Sequence, residues 1–596
     1  MALHTTFSFS PALLTSTRLP AFHLPKNVPQ PTTKLHKSVS IRCLSSDVIT
    51  IEDPLTTRRS ANYPSSAWDY DHLLQSLAAN DSEDKYRRQV EGLKEEVRES
   101  LMNGEMKPLA KLELVDAVQR LGLKYHFEME IKNALHILHS NASSDGNDEL
   151  YSVALRYRLF RQHGYDVSKD VFERFKDETG KFKASLCKDA KGLLSMYEAS
   201  FFGLEGEDII DEAKAFSTGH LKDLKGTLCG SLARKVEHAL DMPVHWRLTR
   251  MEARWFIDTY EQEQHLNPTL LRLAKLEFNM VQAIHQKEVS KLARWWMDLG
   301  LNKMAFARDR LVEHYYWCCG MAFEPQFGLF REMGTKIICL ITTIDDVYDV
   351  YGSLEELELF TDFVDRWDVN GIDKLPDPIR TIFLAMYNTG NEIGYTIIRE
   401  KGFNIIPYLS KTWANLCKAY LVEAKWYHKG YKPTLEKYLD NAVVSIAAPL
   451  MLFSSYFLTA DKITVEALDY INKLPSLMRC SSLVLRLTND LGTSSDELAR
   501  GDNLKSIQCY MNETGVSDNV ARDHINDLVH EAWKVMNKEM LGNYPFQDTF
   551  IHANPNLARA AQFFYHYGDG HGVPGNETKG RLFPLLLEPV PVNQKD

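Results

Sequence analysis

The chain has 596 residues, more than one ordinary globular domain needs and enough for roughly two to four. It is 44% hydrophobic and 25% charged, which fits a globular protein and excludes wholesale disorder, a collagen repeat or a many-span membrane protein. Asp and Glu (80) outnumber Lys and Arg (69), a net charge of −11, so no nucleic-acid partner is expected.

The acidity is unevenly spread. Residues 1–46 hold five Lys or Arg, thirteen Ser or Thr, five Pro and no Asp or Glu; the first acidic residue is Asp47. Their hydrophobic residues (Leu13, Leu14, Phe22, Leu24) never form the apolar core that a secretory signal requires. An acid-free, hydroxyl-rich, mildly basic leader reads as an organelle transit peptide. With only Arg18 and Arg42 as arginines, the plastid is the expected destination, and processing is expected between residues 43 and 57.

Beyond the leader, helical patterning dominates. Leu150, Val153, Tyr157 and Phe160 recur at helical spacing with Gly164 as a stop, and a second helix is expected over Val167–Phe175 with Ser168 as its cap. Alternating β-branched runs are scarce, so the fold class is all-α. The stretch His265–Asn267–Pro268 is the expected division between an N-terminal helical domain, 47–267, and a C-terminal one, 268–596. Asn441 to Ala460 is uncharged for twenty residues, near the length of a membrane span. Pro449, three serines and Thr459 mark it instead as a buried core helix with a proline break, and no membrane span is expected. The nine cysteines show no CxxC and no Cys/His cluster, and read as buried free thiols.

Two clusters carry chemistry. Asp345-Asp346-Val347-Tyr348-Asp349 follows the apolar run Ile337–Ile344, and on a helix Asp345 and Asp349 share one face. Two carboxylates so placed repel each other unless a cation is present, and oxygen-only donors of this kind suit Mg²⁺. In NDLGTSSDE, Asn489, Thr493 and Glu497 recur every four residues, aligning amide, hydroxyl and carboxylate oxygens on one helical stripe. Two such helices face to face can hold several Mg²⁺ ions and clamp a polyanion. Arg308 and Arg310 precede the first cluster, Arg486 lies one turn before Asn489, and Arg500 and Lys505 follow in RGDNLK; together they point to a diphosphate site.

With these motifs the sequence resembles the plant terpene synthases, specifically the monoterpene branch, over essentially its whole length. DDVYD matches the family's aspartate-rich motif and NDLGTSSDE its second metal motif; the arginine pair Arg308/Arg310, the RGDNLKSIQCYM segment and Arg58-Arg59 with Trp68 after eight residues also match. The resemblance implies an N-terminal helical domain without catalysis of its own and a C-terminal class I terpenoid synthase bundle. No DxDD motif occurs, so protonation-initiated cyclisation is not expected. The resemblance further implies metal binding by Asp345, Asp349, Asn489, Thr493 and Glu497, supported by Asp346. It implies three Mg²⁺ per site with Mn²⁺ as the alternative, and diphosphate contacts from Arg308, Arg486, Arg310 and Lys505. The implied reaction ionises geranyl diphosphate, isomerises it through a linalyl intermediate and closes a ring, releasing diphosphate. Trp317 and Tyr565 are expected to line an aromatic pocket, and Gly568–Gly572 to form part of a lid. Asp569 and His571 are candidates for the final proton loss, with the diphosphate as the other base. Apolar Ile338 favours an olefin, and Arg58 and Arg59 are expected to strap the site's mouth, favouring a cyclic product. Acyclic or hydroxylated products, and farnesyl diphosphate as substrate, are the alternatives; a monomer or weak homodimer is expected.

Overall fold

The structure, a computed structural model, describes residues 58–77, 83–141 and 149–592. The expected transit peptide lies outside them. Among the described residues the secondary structure is helical throughout, with one isolated bridge between Lys176 and Phe182 and no strand, as the all-α expectation has it.

The first set of helices runs from Tyr70–Leu77 to Thr249–Tyr260. Leu150–Gln162 is helical as expected, burying Leu150, Tyr157 and Phe160, and Gly164 ends it at φ +80°. The next helix differs from expectation. Ser168 does cap it, accepting from the Asp170 amide at 3.2 Å, but Lys169–Phe175 winds as a tight 3₁₀ helix. It buries only Phe172 and Phe175, three residues apart, which matches the three-residue turn of that helix.

Residue 267, where a domain boundary is expected, is the N-cap of the longest helix, Pro268–Leu299. The Asn267 side chain accepts from the Leu270 amide, and Pro268 sits at the first helical position, where its missing N–H costs nothing. One apolar core runs from the first set into the helices that follow, and a second packs around Trp533 behind the helix Ser476–Arg500.

The uncharged stretch at 441–460 folds as expected into the core. Helix Leu435–Ser445 stops, Ile446 and Ala447 break the chain direction with Ala447 at φ +63°, and helix Ala448–Thr459 restarts with Pro449 in its first turn. By length and composition Leu435–Thr459 is the one segment among the described residues that could cross a membrane, and 78% of its most apolar eighteen residues is buried inside the protein. Six cysteines are buried as expected, but Cys187 is half-buried and Cys229 is exposed.

Candidate functional site

Two helices place the acidic clusters on opposite walls of one cavity. The first, Gly328–Asp346, buries its apolar run Ile337–Ile344. It does not continue as an α-helix to Asp349. From Val347 to Tyr351 the backbone widens into a π-helical turn, closed by the Gly352 amide on the Val347 carbonyl at 2.8 Å. Such turns re-aim side chains without ending the helix, and here Asp345 and Asp349 both still reach the cavity. The second helix, Ser476–Arg500, begins after Pro475 and ends at Gly501 with φ +78°. Its inward stripe presents Arg486, Asn489, Thr493 and Glu497. The space between the walls is about 950 Å³, including its open mouth.

Cations interleave with these acids. Arg308 donates its backbone N–H to Asp346 at 2.7 Å, pairs through Nε with the same carboxylate at 2.8 Å, and reaches Asp345 through Nη2. Arg486 pairs with the buried Asp490 at 2.8 Å and also donates to Asn489. Lys505 lies 3.5 Å from Glu497. Burial, then the Asp345 charge, holds the Asp349 carboxyl well above its ordinary range. Burial pushes Asp346 up to about 6 against the pull of Arg308. Burial raises Glu497 too, but Lys505, Arg486 and Arg500 together outweigh it and leave this carboxyl lowered.

The donors fit a hard divalent cation. They are all oxygens, and Thr493 Oγ1 and Glu497 Oε2 are buried without a hydrogen bond. Asp349 gains from any positive charge brought beside it. Among the described residues no three His, Cys, Asp or Glu side chains gather at one point, so the set is divided between walls. A small octahedral ion held this way would fill its remaining positions with water and phosphate oxygens, which is how Mg²⁺ is commonly bound.

Below the polar rim the cavity is apolar and aromatic. Trp317, Ile338, Ile341, Met451, Leu485 and Tyr565 line it. Trp317 stacks on Phe564 with ring centres 4.7 Å apart and donates its indole N–H to His571 Nδ1 at 3.1 Å. Because an indole only donates, that contact leaves the neutral imidazole proton on Nε2. His571 stays neutral, since burial and then Arg308 and Arg310 hold its pKa well below the usual value. The Gly568–Gly572 loop carries Asp569 and His571 into the lining. At Gly570 a Cβ would collide with the Phe564 carbonyl oxygen, so only glycine allows the chain to pass there.

The segment from Arg58 to Trp68 crosses the mouth. Arg58 forms a bidentate pair with Glu356, 2.9 Å on each arm, and donates to the Tyr351 carbonyl. Arg59 donates to the Asp349 carbonyl at 3.2 Å and to Asp502 at 3.1 Å. Arg310 does not join the diphosphate-facing set expected for it. It is fully buried outside the cavity lining, donating to the backbone carbonyls of Asp309, Pro64 and Gly572, where it ties mouth segment to loop. Sequence reasoning missed Tyr63, Tyr420, Glu423 and the helix break Ser445–Ala447, all of which line the cavity. None belongs to a spaced motif; the Asn441–Ala460 proline break was the one signal, and it pointed to packing.

Comparison with known proteins agrees with this geometry. Residues 297–535 match the terpene synthase metal-binding domain and residues 67–240 the terpene synthase N-terminal domain. The chain is 53% identical to (+)-alpha-terpineol synthase of Santalum album and 53% identical to beta-bisabolene synthase of Santalum austrocaledonicum; each comparison covers 91% of this chain and 95% of the relative. It is 49% identical to a chloroplastic myrcene synthase of Quercus ilex over 93% of both chains. Among solved structures, grey poplar isoprene synthase with three Mg²⁺ ions and dimethylallyl-S-thiolodiphosphate is 44% identical with a TM-score of 0.82, covering 88% of this chain and 99% of that one. Limonene synthase with 2-fluorolinalyl diphosphate is 42% identical with a TM-score of 0.86, covering 90% and 100%. Matched over both domains and nearly its whole described length, the chain belongs to the terpene synthase family.

Proposed function

We propose that this protein is a magnesium-dependent monoterpene synthase that ionises geranyl diphosphate and closes the resulting cation to a cyclic monoterpene, releasing inorganic diphosphate. One observation carries the reading: two walls of oxygen donors, interleaved with Arg308, Arg486 and Lys505, face each other above an apolar, aromatic floor. Asp345 and Asp349 on one wall, and Asn489, Thr493 and Glu497 on the other, would hold Mg²⁺, with Mn²⁺ as the alternative. Bound there, the metal draws charge from the diphosphate and makes it a better leaving group. Arg308, Arg486 and Lys505 hold the departing diphosphate oxygens, and buried Asp346 fixes the Arg308 guanidinium that does so. Beneath them, Trp317 and Tyr565 offer ring faces to a cation, while Ile338, Met451 and Leu485 keep water from it. His571, its Nδ1 engaged by Trp317, orients the indole; as it stands it offers no free lone pair for the terminal proton. Arg58 and Arg59 close the mouth over the retained diphosphate, which favours ring closure over early escape.

Residues 47–267 serve as an N-terminal helical domain that reaches the site only through its leading segment at the mouth, and 268–596 as the catalytic domain. Plastid localisation is part of this proposal, supported by the leader's composition and by the chloroplastic name of the Quercus ilex relative. A second reading, farnesyl diphosphate as substrate, has a specific observation behind it. The bisabolene synthase, named for a larger olefin, is as similar to this chain as the terpineol synthase. Incubation with geranyl or farnesyl diphosphate and Mg²⁺, followed by gas chromatography and mass spectrometry of the volatiles, separates the two. Turnover of geranyl diphosphate to a cyclic monoterpene is expected; no turnover of it sinks the main reading.

A further inference from the structure

The mouth segment brings one aromatic side chain into the polar end of the cavity. Ser60, Asn62 and Tyr63 lie between the anchors made by Arg58 and Arg59 on one side and by Pro64, Ala67 and Trp68 on the other. The far anchors are Arg310 on the Pro64 carbonyl at 2.9 Å, Lys579 on the Ala67 carbonyl at 2.7 Å, and the Trp68 indole N–H on buried Glu313 at 3.1 Å. Between them Asn62 adopts φ +50°, a left-handed conformation that asparagine tolerates better than most residues, and its amide donates to Ser60 Oγ at 3.2 Å. The turn made there directs Tyr63 inward, where it lines the cavity beside Asp345, Asp349 and Glu497.

Two cations face its ring. The Arg308 guanidinium carbon lies 5.0 Å from the ring centre and that of Arg500 lies 5.7 Å from it. A guanidinium stacked on a ring face keeps its in-plane N–H groups free to point elsewhere, so the ring fixes the plane without consuming donors. One ring therefore lies beneath both arginines at the diphosphate end.

We propose that Tyr63 is a substrate-contacting residue delivered by the mouth segment, its ring roofing the diphosphate subsite between Arg308 and Arg500. Substrate enters when the segment lifts, and the diphosphate is enclosed when Tyr63 returns to the two guanidinium faces. This inference rests on the reading of the cavity as a prenyl diphosphate site.

The test uses the full chain and its variants Y63F, Y63A and Y63L, with inorganic diphosphate and Mg²⁺ as the probe, read by isothermal titration calorimetry and by tryptic cleavage at Arg58–Arg59. Diphosphate is expected to bind the parent and to protect the segment from trypsin. Y63A and Y63L should weaken binding roughly tenfold and lose the protection, while Y63F, which keeps the ring, should stay within about twofold of the parent. Y63L preserves bulk, so it remains informative where Y63A fails to fold. Parent-like binding and protection in both Y63A and Y63L would overturn the role of Tyr63 and leave the site reading standing. A loss in Y63F as large as in Y63A would overturn the ring-stacking argument. Failure of the parent to bind diphosphate would overturn the site reading itself, and Tyr63 with it.

Discussion

Both halves of this protein bury charge, and they do so with opposite results. In the helices before residue 268, three buried or half-buried carboxylates are each met by an arginine. Glu252, 4% exposed, accepts from Arg120 at 2.6 Å and from His238 at 2.8 Å, Arg161 pairs with Glu207 at 2.7 Å, and Arg158 pairs with Asp116 at 2.6 Å. Burial alone would raise the Glu252 carboxyl, but Arg120 and then His238 outweigh it and hold it far below its ordinary value. Around the cavity, Asp349 goes the other way, because burial raises its carboxyl and the strongest charge acting on it is another carboxylate, Asp345. Buried charge by itself therefore says little about function. What separates the halves is whether the charge is spent inside the protein or left facing a space that something else must fill.

That contrast can be broken by substitution. The largest effect is expected at Asp345. Asp345→Ala should lower turnover of geranyl diphosphate by roughly a thousandfold or more, with the thermal midpoint essentially unchanged, because several kcal/mol of charge stabilisation reside in the metal site. Full activity in steady-state assays of this variant would refute the assignment. Glu252→Ala should show the reverse pattern. Leaving Arg120 buried without its partner should cost about 4 kcal/mol in denaturant unfolding, while kcat per folded molecule stays close to the parent value.

Glu198 supplies a pH test in the same half. Burial raises this carboxyl to about 7 from an ordinary 4.5, against the opposing pull of Arg120 and Arg158. The folded state thus binds a proton that the unfolded state has released. Stability falls as pH rises from about 4.5 to 7 and is flat above, by up to about 3 kcal/mol for a shift of this size. Glu198→Gln keeps an acceptor for the Val244 amide, which donates to Glu198 at 2.9 Å. It should flatten that slope and stabilise the protein above pH 7; an unchanged pH profile of the unfolding midpoint would show that Glu198 titrates normally. The smallest effect is expected at Thr493, whose Oγ1 is buried without a hydrogen bond. Thr493→Val should raise the Mg²⁺ concentration needed for half-maximal activity roughly tenfold and leave stability unchanged, since no internal bond is lost.

Much of the site was legible because its groups lie at helical spacing. Asn489, Thr493 and Glu497 needed only an unbroken helix to share a stripe, and Ser476–Arg500 supplies one. Asp345 and Asp349 were paired on the same argument, and they do meet, although through a π-helical turn that no spacing rule forecasts. Arg310 shows the limit. As a residue type it suits phosphate, yet its neighbours in space are carbonyls from residues 64, 309 and 572, and they claim it. Tyr63 and the break at Ile446–Ala447 reach the cavity from segments far away in the chain; nothing local marks Tyr63, and Pro449 marked the break only as core packing.

The sequence by itself determined the helical class, the proline-broken core segment, and the two oxygen-donor clusters, because each depends on periodicity or composition within one short stretch. Tertiary structure decided which cations face the diphosphate end, which tyrosine covers it, and how the mouth is tied shut. Those outcomes depend on which distant carbonyl or carboxylate lies nearest to a buried guanidinium, and a buried charge takes whichever partner the packing brings within reach.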